Sequence, residues 1–118
     1  NTGDIDILLE DTTENRINLR AAFKQIGIGD FPQIETMQFV AGYTDFTISY
    51  DLRLDVMTSI KGLENANFDE LLQNATIVYL NEVPVYFIDY DSLILAKKAT
   101  NRLKDQLDIE ELNKLNNK

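Results

Sequence analysis

The residues of this chain best suited to chemistry lie near its beginning, in Gly3-Asp4-Ile5-Asp6-Ile7-Leu8-Leu9. Two carboxylates alternate there with aliphatic side chains, and alternation with a period of two marks a strand that buries one face. A residue and its second neighbour project to the same side, so Asp4 and Asp6 point together while Ile5 and Ile7 face the other way. Adjacent carboxylates disfavour each other's charge. The pair makes sense where water dilutes the charge at a strand end, or where a hard cation sits between the two. Mg²⁺ suits the second case, because it takes oxygen ligands in a near-octahedral shell and commonly binds through one or two carboxylates plus substrate phosphates. A further acid stands in the apolar run Leu52-Arg53-Leu54-Asp55-Val56-Met57. Acids are depleted in strands and rarely buried without a partner. Asp55 is thus an edge residue, the ion-pair partner of an arginine such as Arg53, or a third oxygen donor for the same cation.

Composition narrows the chemistry further. The chain has no cysteine and no histidine. Disulfides, thiolate nucleophiles, Cys-type zinc sites, Ser-His-Asp and Cys-His triads, His-bound metals and His general bases are therefore all excluded. Catalysis within these residues would rely on carboxylates, lysine, arginine, tyrosine, hydroxyls or a metal. The net charge is −9, which repels bulk duplex DNA and anionic membrane. With 118 residues, 44% of them hydrophobic and 26% charged, the chain has the size and balance of one globular domain with a modest core. It carries neither an apolar run of membrane-spanning length nor a signal-peptide pattern, so a soluble, cytoplasmic protein is expected.

Several elements must position these acids. The first strand is expected over residues 4–9, followed by a helix capped by Thr12 or Thr13 and running to about residue 26. Leu19, Ala22, Phe23 and Ile26 have the spacing of its buried face, and Gly27 is its stop. Arg16, Arg20 and Lys24 line its outer side as a solvated face. Residues 27–36 read as a loop and 37–41 as a short strand. A turn at 42–45 leads to strands over 46–50 and 52–60. Asn67 is expected to cap a short helix over 68–74. The runs 76–80 and 83–88 read as a hairpin about Asn81-Glu82. Asp89 caps a helix to about residue 102, with Leu93, Ala96, Thr100 and Leu103 on its inner face. The last helix spans about 105–115. Tyr43, Tyr50 and Tyr79 are expected to be packing residues, and Lys104, Asp105, Asp108 and Glu110 a surface charge face or caps. The order predicts an α+β domain, a mixed β-sheet with helices packed on it and helices at the C-terminal end.

Two common uses of an Asp-x-Asp pair do not fit. An EF-hand loop needs a polar third ligand and then a glycine, where this chain has Leu8 and Leu9. A phosphatase of the Asp-x-Asp-x-Thr type would need a hydroxyl at Leu8. The order of motifs along the whole chain resembles instead the nucleotidyltransferase superfamily related to DNA polymerase beta. The resemblance rests on Thr2-Gly3-Asp4-Ile5-Asp6-Ile7, on Leu52 through Gly62 with Asp55 inside it, and on two later segments. Those are Val85-Tyr86-Phe87-Ile88-Asp89-Tyr90-Asp91-Ser92-Leu93-Ile94 with Lys97, and Arg102-Leu103-Lys104-Asp105-Gln106-Leu107-Asp108-Ile109-Glu110. They are similar to the small prokaryotic nucleotidyltransferase-like proteins of the minimal or antitoxin type.

The resemblance implies that Asp4 and Asp6 hold Mg²⁺, or Mn²⁺, together with an NTP. It implies that Asp55 completes the metal site and helps deprotonate the hydroxyl of an acceptor, which is a protein, an RNA or a small molecule. Lys97 and, less directly, Arg102 and Lys104 would neutralise phosphate charge. The family also carries a Gly-Ser or Gly-Gly turn upstream of its Asp pair, and only three residues precede Asp4 here. The expectation is a nucleotidyltransferase-like domain over 1–118 that lacks this turn, active in a longer parent and impaired alone. Two other readings stand beside it. One is an interaction module on the same scaffold, binding a toxin or its own copy. The other is a divalent-cation-binding domain without nucleotide.

Overall fold

The computed structural model describes residues 3–100 and 103–116. The described residues form an α+β structure with a small mixed sheet and four α-helices. The chain divides into two compact units, Asn1–Ser59 and Ile60–Lys118.

In the first unit, β1 (Gly3–Leu8) leads into α1 (Thr13–Gln25), and β2 (Asp45–Ser49) and β3 (Leu52–Met57) follow as a hairpin. The sheet order is β1-β3-β2, with β1 parallel and β2 antiparallel to the central β3. A parallel pair needs a long crossover, and α1 with the segment after it supplies one. The alternation in the strands sorts their faces. Phe46, Leu54, Val56 and Ile7 face a core completed by Phe23 of α1, Ile34 and Phe39. The Phe23 and Phe46 rings meet edge to face with centroids 4.9 Å apart.

Helix α1 starts and stops where its sequence says. The Thr12 hydroxyl accepts from the Asn15 N–H at 3.0 Å, and Glu14 sits in the positive first turn. At the other end Gly27 adopts φ +85°, the Ile28 N–H reaches the Phe23 carbonyl at 3.1 Å, and the Gly27 N–H reaches that of Lys24 at 3.2 Å. These paired bonds form a Schellman closure, which glycine permits without a Cβ penalty.

The inner face of α1 differs from the one its spacing suggests. Leu19 and Phe23 do face the core, but Ala22 and Ile26 are exposed. Arg16 and Arg20 take the remaining inward positions, and neither belongs to a solvated stripe. Arg16 donates to the carbonyls of Ile34 and Met37 at 2.9 and 2.6 Å, pairs with Asp11, and lies over the Phe39 ring. Arg20 forks onto Asp30 and also binds Glu35. Together they tie down residues 30–37, which contain a 3-10 helix over Pro32–Glu35 where a plain loop was expected. No strand forms at 37–41. Phe39 plugs the core from irregular backbone, and a turn follows. Strand β3 ends at Met57, three residues before the expected end.

In the second unit, α2 (Phe68–Asn74) is capped by Asn67, whose side chain accepts from the Glu70 N–H at 2.7 Å. Strands β4 (Thr76–Leu80) and β5 (Val83–Phe87) form a two-stranded sheet of their own. Asn81 and Glu82 turn between them with φ of +50° and +68°, the backbone of a type I′ hairpin. Asp89 caps α3 (Tyr90–Thr100), accepting from the Ser92 N–H at 3.1 Å. Helix α4 (Leu103–Asn116) returns along α3, and Thr100–Asp105, Lys97–Asp108 and Tyr90–Asn113 bond across the pair. Asp105 is only 2% exposed, so it is no part of a surface charge face. Leu103, expected inside, is exposed. Gly62 is needed for close approach: at its φ of +93° an added Cβ would lie 2.7 Å from the Ala99 Cβ. Among the described residues no helix is long and apolar enough to cross a membrane.

Candidate functional site

The face of the sheet turned away from the core gathers the acids. Register places Asp6 opposite Asp55 across the parallel pair, and Asp55 opposite Asp45 across the antiparallel one. Directly paired residues share a face, so three carboxylates form a row across three strands. One step along, Asp4, Arg53 and Thr47 form the next row in the same way. The strand alternation that sends Leu54 and Val56 into the core sends Asp55 to this row, as the sequence pattern requires.

Asp55 is the least solvated of these acids. It lies in the central strand, which removes the edge-strand reading. It is half-buried, whereas Asp4, Asp6 and Asp45 are exposed. Its Oδ2 accepts from the Gly42 N–H at 2.8 Å, and its Oδ1 is buried without a hydrogen-bond partner. Burial raises its pKa above the ordinary carboxylate value, the charges of Asp6, Asp45 and Asp4 raise it further, and the Gly42 N–H works in the opposite direction. The arginine expected as its partner goes elsewhere: Arg53 reaches Asp45 at 3.5 Å, with both side chains well exposed.

The three acids singled out in the sequence therefore share one face of adjacent strands. Among the described residues, no group of three His, Cys, Asp or Glu side chains stands ready to hold a metal ion. The residues nonetheless suit a hard cation. Their donors are all oxygens, Asp6 and Asp55 are nearest neighbours, and one Asp55 oxygen is buried and unsatisfied. A preformed three-carboxylate cage is not required, since Mg²⁺ typically keeps waters and takes one or two carboxylates plus phosphates.

Lys97 belongs to the second unit, where its ammonium donates to Asp108 at 2.9 Å. Arg102 lies outside the described residues, as does the side chain of Lys104. The tyrosines are not packing residues: Tyr43 is 85% exposed, Tyr50 fully so, and Tyr79 69%. Sequence reasoning missed Asp45 and Gly42. Both stood in a segment read only as a turn, and nothing local signals which residue of a neighbouring strand will lie beside Asp55. No family model matches the chain, and neither a curated protein nor a solved structure matches it significantly.

Proposed function

We propose that this domain is built for nucleotidyl transfer: it binds an NTP with divalent metal and passes a nucleoside monophosphate to a hydroxyl. The observation that carries the proposal is the register of the parallel pair, with Asp6 beside Asp55 and Asp4 one step away on the same face. The motif order that resembles the polymerase-beta-related superfamily supports it from the sequence side. Asp4, Asp6 and Asp55 would hold Mg²⁺ or Mn²⁺, which when bound supplies positive charge to the triphosphate and to the acceptor oxygen. Asp4 and Asp6 orient the nucleotide on the exposed side of β1. Asp55 would take the acceptor's proton, the role the resemblance implies for it. The acceptor oxygen then bonds to the α-phosphorus as the bond to the β-phosphate oxygen breaks, and pyrophosphate leaves. The resemblance alone names Lys97 and Arg102 as the candidates for phosphate charge.

The test is transfer of label from an α-labelled NTP in Mg²⁺, by a chain that carries a Gly-Ser or Gly-Gly turn ahead of Asp4. Asp4→Asn and Asp6→Asn are expected to abolish transfer. Unchanged transfer in either variant would discard the site.

One observation favours a second reading, in which the scaffold associates with a second copy of itself and turns over no nucleotide. The β4–β5 hairpin exposes Ile77, Tyr79, Leu80, Val83, Tyr86 and Phe87. Neither strand contains a charged residue. In a chain of net charge −9, this is a surface where two copies meet without like-charge repulsion. Light scattering that finds only monomer at high concentration would remove this reading.

A further inference from the structure

We propose that Thr44 is a positioning residue that sets the Asp55 carboxylate through the turn at residues 40–44. The turn is closed on itself by Thr44. The Val40 N–H donates to the Thr44 hydroxyl at 2.8 Å, and the Val40 carbonyl accepts from the N–H groups of Tyr43 and Thr44 at 2.9 and 3.1 Å. The turn is also fastened to the strand it serves, because the Val56 N–H donates to the Thr44 carbonyl at 3.0 Å, one residue beyond Asp55. Thr44 is 7% exposed, an unusual place for a hydroxyl with no structural or positioning task. At the apex Gly42 adopts φ +81° and aims its N–H at Asp55 Oδ2, 2.8 Å away.

This arrangement divides the labour of one carboxylate. Oδ2 is committed to the turn, and Oδ1 is the atom left over, buried and without a hydrogen-bond donor. A carboxylate free to rotate presents either oxygen, whereas one held by a backbone N–H presents a single atom in a fixed direction. The Thr44 hydroxyl holds the turn, the turn holds Gly42, and Gly42 holds Asp55. That this geometry serves cation binding rests on the nucleotidyltransferase reading. The coupling from Thr44 to Asp55 does not.

The experiment has one arm for each statement. The first is amide hydrogen exchange at Gly42 in the wild type, Asp55→Ala, Thr44→Val and Thr44→Ser. Gly42 is expected to be protected in the wild type and to exchange about tenfold faster or more in Asp55→Ala and Thr44→Val, while amides within β1 and β3 keep their protection. Thr44→Ser, which keeps the hydroxyl, is expected to restore the wild-type rate. Unchanged Gly42 protection in Thr44→Val would overturn the proposal. Should Thr44→Val fail to fold, the scalar coupling across the Gly42 N–H to Asp55 carboxylate bond reads the contact in the unsubstituted protein, and its absence would overturn the proposal by itself. The second arm is Mn²⁺ affinity in the presence of ATP. Thr44→Val is expected to weaken it about tenfold, with rescue by Thr44→Ser, as displaced ligand supports do elsewhere. A wild type that binds no Mn²⁺ with ATP would remove the nucleotide reading and leave the exchange arm to decide the role of Thr44.

Discussion

Asp55 sits between Asp6 and Asp45 in the middle strand, where burial first and the neighbouring charges second hold its pKa above the usual carboxylate range. An acid whose folded pKa exceeds its unfolded value binds its proton more tightly when folded. Its contribution to stability is complete below the unfolded value and is lost as pH rises through the folded one. At neutral pH, above the unfolded value, the Asp55 carboxyl therefore works against folding. Asp55→Asn is expected to raise the melting temperature at about pH 7 and to change it little at about pH 3, where the wild-type carboxyl is already protonated. A melting temperature lowered equally at both pH values would contradict this. Asp11 and Asp30 run the other way. Hydrogen bonds from Arg16 and Arg20 lower their pKa values, so their contribution is present above the unfolded value and fades as pH falls through the folded one. Arg16 is the more consequential arginine, because it also satisfies the carbonyls of Ile34 and Met37. Replacing it with Met keeps the bulk and strands both acceptors, which is expected to cost about 2–4 kcal/mol in urea denaturation. A loss below about 0.5 kcal/mol, the range of ordinary surface substitutions, would show that these bonds carry little.

The elements divide by whether their order is local. Strand β1, helix α1, helix α2 and the β4–β5 hairpin were legible because each carries its own signals: alternation, a threonine or asparagine cap, a glycine stop, a two-residue turn. The stretch from Gly27 to Thr44 was not legible. It has no period, and its conformation is imposed by Arg16 and Arg20 reaching across from α1. Phe39 and Val40 belong to the run 37–41 that reads as a short strand in sequence, yet one fills the core and the other opens the turn whose Gly42 N–H meets Asp55. The site divides in the same way. Asp4 and Asp6 announced a shared face through spacing and Asp55 stood out as an acid in an apolar strand, while Asp55, Asp45 and Gly42 come together with them only through register, which is a tertiary property. Helix α1 misled for a related reason: a helical period cannot separate an inward leucine from an inward arginine whose guanidinium has found carbonyls. The hairpin turn supports a direct test. Glu82 occupies φ +68°, where a Cβ is strained and glycine is not. Glu82→Gly is expected to stabilise the protein by about 0.5–1 kcal/mol, read as a higher urea midpoint with an unchanged slope. A lower midpoint would contradict the I′ assignment.

At the scale of the whole molecule, the strong excess of acid shapes what the chain can meet. With 20 acidic and 11 basic residues it repels polyanions in general, so under the proposed function a nucleotide would have to arrive with its charge already offset by divalent metal. The β4–β5 hairpin is an exposed apolar surface whose strands carry no charge, and two copies meeting there would avoid like-charge repulsion. If copies associate there, Val83→Lys on the exposed strand is expected to shift a dimer to monomer in light scattering. A dimer that survives it would place the contact elsewhere. The proposed nucleotidyl transfer depends on a single long-range fact, the parallel pairing of β1 with β3 that sets Asp6 against Asp55. The most direct measurement of that claim is a Mn²⁺ titration, followed by the paramagnetic signal of the free ion, with and without ATP. Mn²⁺ uptake is expected to depend on ATP and to weaken about tenfold or more in Asp6→Asn and in Asp55→Asn. Uptake that is equally tight in the wild type and in a chain with Asp4, Asp6 and Asp55 all replaced by Asn would contradict it.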